Sequence, residues 1–180
     1  MTKDQDETRL PIYPEPTDPA TLGVELRIGW LRNDPAIAAD AKAFWKQYEI
    51  INRDEIAAER TSEIVLAAYA GERLVAVSTA KIETIPRLRC KMAVYRCAVA
   101  PDFRGKNMAV MISAHSLKTL EAWSLANPDE GVLGMLAVMM NEKYQKETHP
   151  HRSPETKLSL AYFNEQGQKV VVGWFDHARI

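Results

Sequence analysis

The stretch VAPDFRGKNMAV, residues 99–110, combines residue types that can hold a phosphate group. An apolar segment leads through Pro101 into an Arg-Gly pair, and a helical period of apolar residues follows. The first N–H groups of a helix have no partner inside the helix, and its dipole attracts anions. Gly105 permits close approach to the backbone, and Arg104 and Lys106 add charge. We predict an anion site here, with an ordinary helix start as the alternative.

The overall charge requires any such site to be local. The 180 residues carry 23 basic and 24 acidic side chains, for a net charge of -1. This balance provides no general attraction to nucleic acid or anionic membranes, so we expect no nucleic-acid and no membrane partner. The first ten residues are polar, and no apolar run is long enough to span a bilayer. We therefore expect a soluble, cytoplasmic protein.

The cysteines and histidines do not predict a metal centre. Cys90 and Cys97 lie seven residues apart in one predicted strand, so their side chains point to opposite faces. Together with four scattered histidines they lack the spacing of a zinc site, so we expect no metal. His149 and His151 could act as a base because histidine titrates near neutral pH, or could lie in an exposed loop.

The pattern of apolar residues predicts a single mixed α/β domain, which 180 residues are long enough to fill. Asn33 or Asp34 caps the first long helix, and Pro35 takes its first position. Gly71 and Glu72 form the turn of a hairpin. Apolar alternation or an apolar run predicts strands within 24–32, 63–70, 73–85, 88–100, 131–140 and 168–177.

Helices are predicted within residues 33–54, 55–62 and 105–126. A fourth is predicted in SPETKLSLAYFNEQG, residues 153–167, with Ser153 as its N-cap and Gly167 as its stop. The expected fold is therefore a central mixed sheet of about six strands flanked by helices.

A proline-rich arm precedes this domain. Four of the ten prolines fall within residues 1–22, which favours extended chain. A disordered leader and a strap packed on the domain or on a partner are both consistent with this composition. The arm and the terminal strand are also elements through which a homodimer could form.

The element order and the stretch CAVAPDFRGKNMA resemble the GCN5-related N-acetyltransferase (GNAT) superfamily over residues 24–177. Cys97, Val99 and Pro101 match the end of the family's fourth strand. In the loop that follows, the family has arginine or glutamine, two residues, glycine, one residue, and glycine or alanine. This chain has Asn107 where the family has the glycine three residues after the arginine. The resemblance implies a GNAT-like acyltransferase domain over residues 23–180.

The resemblance also implies the reaction and its co-substrate. Acetyl-CoA or another acyl-CoA would donate its acyl group directly to the amine of a small molecule or peptide. Its pyrophosphate would bind the loop before the third main helix, and its pantetheine arm would bind backbone where the fourth strand splays from the next. A backbone N–H near Ala98 or Val99 could stabilise the oxyanion. The implied coenzyme-binding residues are Cys97, Ala98, Val99, Arg104, Gly105, Lys106, Asn107, Met108 and Ala109.

The catalytic side chains are implied less directly. The family often uses a carboxylate on the fourth or a neighbouring strand as the base and a tyrosine in the last helix as the acid. The fourth strand has no Asp or Glu, so Glu83 is the candidate base, with a solvated hairpin carboxylate as the alternative. Phe163 takes the place of the tyrosine, which makes Tyr162 the candidate acid. A catalytically silent module that binds acyl-CoA or a protein partner is the second hypothesis.

Overall fold

The computed structural model describes residues 14–140 and 155–179. In this part of the chain seven strands form one sheet in the order β1-β2-β3-β4-β5-β7-β6, accompanied by three α-helices. The strands are β1 Glu25–Ile28, β2 Ile64–Ala70, β3 Arg73–Ile85, β4 Cys90–Val99, β5 Val132–Val138, β6 Ser159–Phe163 and β7 Lys169–Trp174. The helices are α1 Pro35–Gln47, α2 Asp54–Thr61 and α3 Met108–Ala126. The expected mixed sheet is confirmed, with seven strands instead of about six.

All strand pairs are antiparallel except β4 and β5, which pair in parallel. Parallel neighbours need a long connection, and α3 supplies it by crossing from the end of β4 to the start of β5. The predicted hairpin between β2 and β3 is confirmed, and Gly71 turns it with φ +62°. Asp34 caps α1 as predicted, because its side chain accepts hydrogen bonds from the N–H groups of Ala36 and Ile37.

The helices cover both faces of the sheet. On one face the Ser78 hydroxyl of β3 lies 2.9 Å from the Ser116 hydroxyl of α3. On the other face the Tyr69 hydroxyl of β2 donates a 2.8 Å hydrogen bond to Asp40 of α1. We call these the α3 face and the α1 face. None of the helices within the described residues is long and apolar enough to cross a membrane.

The helix predicted over residues 153–167 is wrong, because the described part of this segment contains β6. Leu160 and Tyr162 pair with β7, and the turn that joins the two strands ends at Gly167 with φ +73°. Asn164 closes that turn by accepting the N–H of Gly167 at 2.9 Å. A glycine after an apolar run marks a helix end or a hairpin turn equally well, and pairing with β7 selects the hairpin here.

The described end of the proline-rich arm packs against α3. The Thr17 carbonyl oxygen lies 3.0 Å from His115 Nε2, and Glu15 forms an ion pair with Lys118. The Thr17 hydroxyl also donates a 3.4 Å hydrogen bond to Glu155. Residues 14–22 therefore form a strap on the domain, while the boundary between arm and domain stays a prediction.

The packing of α3 against the sheet can be tested on two of its leucines. Leu120 is completely buried, whereas Leu125 on the same helix is 62% exposed. Leu120→Ala should lower the free energy of unfolding by about 2–5 kcal/mol, because it removes buried apolar contacts and leaves a cavity. Leu125→Ala should change it by less than about 0.5 kcal/mol. Urea denaturation measures both, and equal effects would contradict this placement of α3.

Candidate functional site

The two parallel strands of the sheet part before β4 ends. Pairing between β4 and β5 begins at Lys91 and Val132 and stops at Tyr95 and Ala137. β4 continues to Val99 beside β3 alone, while β5 ends at Val138, one residue after its last pair with β4, and stays paired with β7 up to that point. The sheet therefore opens between β4 and β5 where the sequence analysis expected a splay.

The backbone of β4 presents hydrogen-bonding groups to this gap. The N–H of Ala100 donates to the Val75 carbonyl at 2.8 Å. Because such bonds alternate along an antiparallel pair, the peptide groups of Ala98 point toward β3, and those of Cys97 and Val99 point into the gap. The Val99 carbonyl there accepts a 3.1 Å hydrogen bond from Arg104 Nε. Of the three strand residues predicted to bind pantetheine, two therefore offer backbone groups to a ligand.

The gap belongs to a groove of about 1060 Å³. Its walls come from the end of β4, the first two turns of α3, the end of β5 and the segment from Ile50 to Arg60. The described residues that line it include no aspartate or glutamate. An anionic or neutral ligand therefore meets no negatively charged side chain among them.

The groove reaches both faces of the sheet. Cys97 lies opposite Ser78 in the β3–β4 ladder, so its side chain is on the α3 face. Arg96 lies opposite Thr79, so its side chain is on the α1 face. Cys90 and Cys97 are free thiols on opposite faces of β4, as predicted. Side chains from both faces of the sheet therefore line the groove.

The predicted anion loop, residues 104–109, combines two left-handed residues with the start of a helix. Gly105 has φ +76° and Asn107 has φ +59°. The Asn107 side chain makes no capping hydrogen bond, but its carbonyl accepts the first intrahelical bond of α3, from Met111. The N–H groups of Met108, Ala109 and Val110 precede that bond and are available to an anion. Asn107 therefore adopts a conformation that glycine favours and that asparagine tolerates.

An ion pair fixes this loop to the rest of the sheet. Arg73, at the start of β3, holds both carboxylate oxygens of Asp102 at 2.7 and 2.8 Å. The same guanidinium donates to the Tyr48 hydroxyl at 2.9 Å. Arg73 keeps the pKa of Asp102 below its usual value, so the pair remains charged at neutral pH. The turn Pro101–Phe103 that leads into the anion loop is thereby anchored to the β2–β3 hairpin.

Two hydroxyl groups that the sequence analysis did not single out line the groove on the α3 face. The Ser113 hydroxyl donates a 3.1 Å hydrogen bond to the Tyr95 hydroxyl. Burial is the main cause that raises the pKa of Tyr95, and desolvation also raises the pKa of the Cys97 thiol beside it. Tyr95 is therefore protonated at neutral pH. Its position two residues before Cys97, on the same face of β4, was the signal in the sequence.

Glu83, the predicted base, does not line the groove. It lies on β3 opposite Met92, and its carboxylate is 3.6 Å from Lys81 in an exposed ion pair. Thr79, which does line the groove, is four residues away along the strand, or about 13 Å. The solvated carboxylate of a hairpin describes this position better than a base beside the gap.

Tyr162, the predicted acid, also lies outside the groove. It is on β6 and not on a helix, and the Arg87 guanidinium stacks 4.7 Å from the centre of its ring. Phe163 beside it is half exposed. His149 and His151 fall outside the described residues. The catalytic roles of Glu83 and Tyr162 stay predictions, and nothing in the described contacts brings either side chain to the gap.

Comparison by sequence identifies no relatives: neither a family model nor a curated protein matches the chain. Comparison of structures finds proteins with a similar fold. The chain is similar to yncA, a putative acetyltransferase from Salmonella typhimurium solved with acetyl-CoA, at 12% identity and a TM-score of 0.55 over 88% of this chain and 97% of that one. The loading GNATL domain of CurA from Lyngbya majuscula has 9% identity and a TM-score of 0.53 over 86% and 99%. This chain has the GNAT fold.

A third similar structure corrects one expectation. One chain of the KacTA–DNA complex is similar to this chain, with 13% identity and a TM-score of 0.52 over 84% of this chain and 93% of that one. The expectation that the chain has no nucleic-acid partner is therefore wrong. It rested on the net charge of -1, which is a sum over the whole surface. A sum describes neither a local patch nor a contact made through a second protein.

The left-handed conformation of Asn107 can be tested by stability alone. Asn107→Ala should unfold with a free energy about 1 kcal/mol lower than Asn107→Gly, because an alanine Cβ disfavours positive φ. Asn52 is the matched control, since it is exposed and has no positive φ. At that position the glycine variant should be the less stable one. Urea denaturation measures all four variants, and the same order at both positions would contradict the loop conformation.

Proposed function

We propose that this protein is an acyl-CoA-dependent N-acyltransferase that moves an acetyl or other acyl group from coenzyme A to an amine by direct transfer. The observation that carries the proposal is the end of β4–β5 pairing at Tyr95 and Ala137, in a groove that Arg104 and Ala109 of the predicted anion loop also line. The gap offers strand-like hydrogen bonds to an extended amide chain, and the loop offers N–H groups to a pyrophosphate. An acyl-CoA carries the two matching groups in the same order, an extended pantetheine chain with its amides followed by a pyrophosphate.

The backbone of β4 would bind and polarise the thioester. The pantetheine amides would pair with the peptide groups of Cys97 and Val99, as an extended peptide pairs with an exposed sheet edge. An N–H of the same pair would donate to the thioester oxygen as negative charge develops on it. The pyrophosphate would accept N–H groups from the first turn of α3, with Arg104 and Lys106 adding positive charge.

The chemistry requires two proton movements. The lone pair of a neutral amine attacks the thioester carbon, the carbon–sulfur bond breaks, and the thiolate needs a proton while the new amide nitrogen loses one. Tyr95 is a candidate donor to the thiolate, because the residue lines the groove and its raised pKa keeps its hydroxyl protonated. Ser113, which donates to the Tyr95 oxygen, would stabilise the phenolate that remains.

The role of Tyr95 can be separated from binding. Tyr95→Phe should lower kcat by about 100-fold, since a positioned proton donor contributes on this scale, and should leave acetyl-CoA affinity nearly unchanged. Tyr48→Phe is the control, because its hydroxyl binds Arg73 outside the groove. Thiol release and calorimetry measure the two quantities. Unchanged turnover of Tyr95→Phe would remove Tyr95 from the mechanism.

The anion loop can be tested with one pair of variants. Ala109 is exposed in the first turn of α3 and lines the groove. Ala109→Glu should bind acetyl-CoA at least about tenfold more weakly than Ala109→Gln, because the two side chains have the same shape and only one repels a pyrophosphate. Isothermal titration calorimetry on the full chain measures both. Equal affinities would show that the pyrophosphate does not bind here.

A silent coenzyme-binding module is the second candidate function. It is favoured by the positions of Glu83 and Tyr162 outside the groove and by the lack of acidic residues among its described lining. Calorimetry followed by a thiol-release assay with a panel of amines distinguishes the two. Binding with release supports the enzyme, and binding without release supports the module. Absence of heat at about 1 mM acetyl-CoA would contradict both.

A further inference from the structure

The side of the groove on the α1 face is bordered by arginines that the proposed coenzyme site does not use. Arg96 comes from β4, Arg60 from α2, and Arg53 from the residue before α2. Arg104, by contrast, follows the end of β4 and leads into the anion loop before α3. The groove is therefore lined by Arg53, Arg60 and Arg96 and, at the loop after β4, by Arg104.

The strand ladder places Arg96 on the acceptor side. Arg96 lies opposite Thr79 and alternates with Cys97, whose side chain is on the α3 face. A coenzyme held by the first turn of α3 would reach the gap from the α3 face. A second substrate would then meet its thioester from the α1 face, where Arg96 stands beside the gap.

Arg60 and Arg96 are close enough to repel each other. Burial and, after it, the charge of Arg96 lower the pKa of Arg60, although Glu63 and Glu59 act in the opposite direction. Glu63 lies 3.0 Å from Arg60 Nε, and the two side chains are only 13% and 20% exposed. No salt bridge among the described residues involves Arg96 or Arg53. Within residues 14–140 and 155–179, Arg96 and Arg53 therefore have no carboxylate in an ion pair with them, whereas Arg60 has Glu63.

We propose that the acceptor is a small amine that carries a carboxylate or phosphate group, and that Arg96 and Arg60 bind this group; the assignment rests on the proposed acyl transfer. A guanidinium matches the two oxygens of either anion with parallel N–H donors. Arg60 is recessed, so the anion must reach into the groove, which a small molecule does more readily than a group on a folded surface. Ile50 and Ile56 flank the arginines and provide apolar contacts for the carbon chain.

The first test compares amines in pairs that differ in charge. The pairs are phenylalanine with phenylalaninamide, 4-aminobutyrate with butylamine, and O-phosphoethanolamine with ethanolamine. At saturating acetyl-CoA, kcat/KM should be at least about tenfold higher for the member that carries the carboxylate or phosphate, in any pair that is acetylated. Equal or higher values for the members that lack the anionic group, with turnover observed, would overturn the acceptor assignment and leave the acyltransferase proposal intact.

The second test assigns the preference to Arg96. Arg96→Gln should raise KM for the preferred anionic amine by about 10- to 100-fold, which corresponds to loss of a charged hydrogen bond. Its KM for the paired amine that lacks the anionic group should rise far less, so the preference between the two members of the pair should fall toward one. Arg27→Gln on β1 is the control, since that arginine lies outside the groove. Arg96 is exposed, so its replacement is expected to leave the fold intact. Arg60→Gln, by contrast, would leave the half-buried Glu63 without its ion-pair partner.

A binding measurement keeps the inference testable without turnover. Calorimetric titration of O-phosphoethanolamine and 4-aminobutyrate into the wild-type chain and into Arg96→Gln reports the anion site directly. Binding of either amine that is lost in the variant supports the site even when no amine is acetylated. Equal binding to both proteins, or no binding to the wild type with or without acetyl-CoA, would overturn it.

Discussion

The end of pairing between β4 and β5 is the feature on which the account of this protein depends. Two parallel strands that stay paired satisfy each other's peptide groups, and a sheet built that way has no slot. Beyond Tyr95, β4 is paired with β3 alone and no longer with β5. The peptide groups of Cys97 and Val99 therefore point into a gap. The groove, its two open faces and the proposed position of the thioester all follow from this divergence.

The divergence is useful only because the chain beyond β4 is held in place. Arg73 binds Asp102 through two hydrogen bonds, and Arg104 binds the Val99 carbonyl, so the loop and the strand end form one unit. Gly105 and Asn107 then turn the backbone through left-handed conformations into α3. The free N–H groups of the helix thereby lie next to the open end of the gap.

Most of the fold could be predicted because its signals are local. The Asp34 cap and the turn at Gly71 depend on neighbouring residues, and they led to the correct elements. The helix prediction for the segment that contains Tyr162 was wrong, because its cap-like start and its glycine are equally compatible with a helix and with a hairpin of β6 and β7. The cluster of Arg60 and Arg96 was out of reach, since residues 36 positions apart meet only through the sheet register.

The central claim is that the exposed edge of β4 binds the coenzyme. Amide hydrogen exchange, followed residue by residue by NMR on labelled protein with and without acetyl-CoA, measures this directly. We expect the N–H groups of Cys97 and Val99 to exchange readily in the free protein and to become protected when acetyl-CoA binds, while that of Ala98 changes little. Saturation with acetyl-CoA that leaves Cys97 and Val99 unprotected would contradict it.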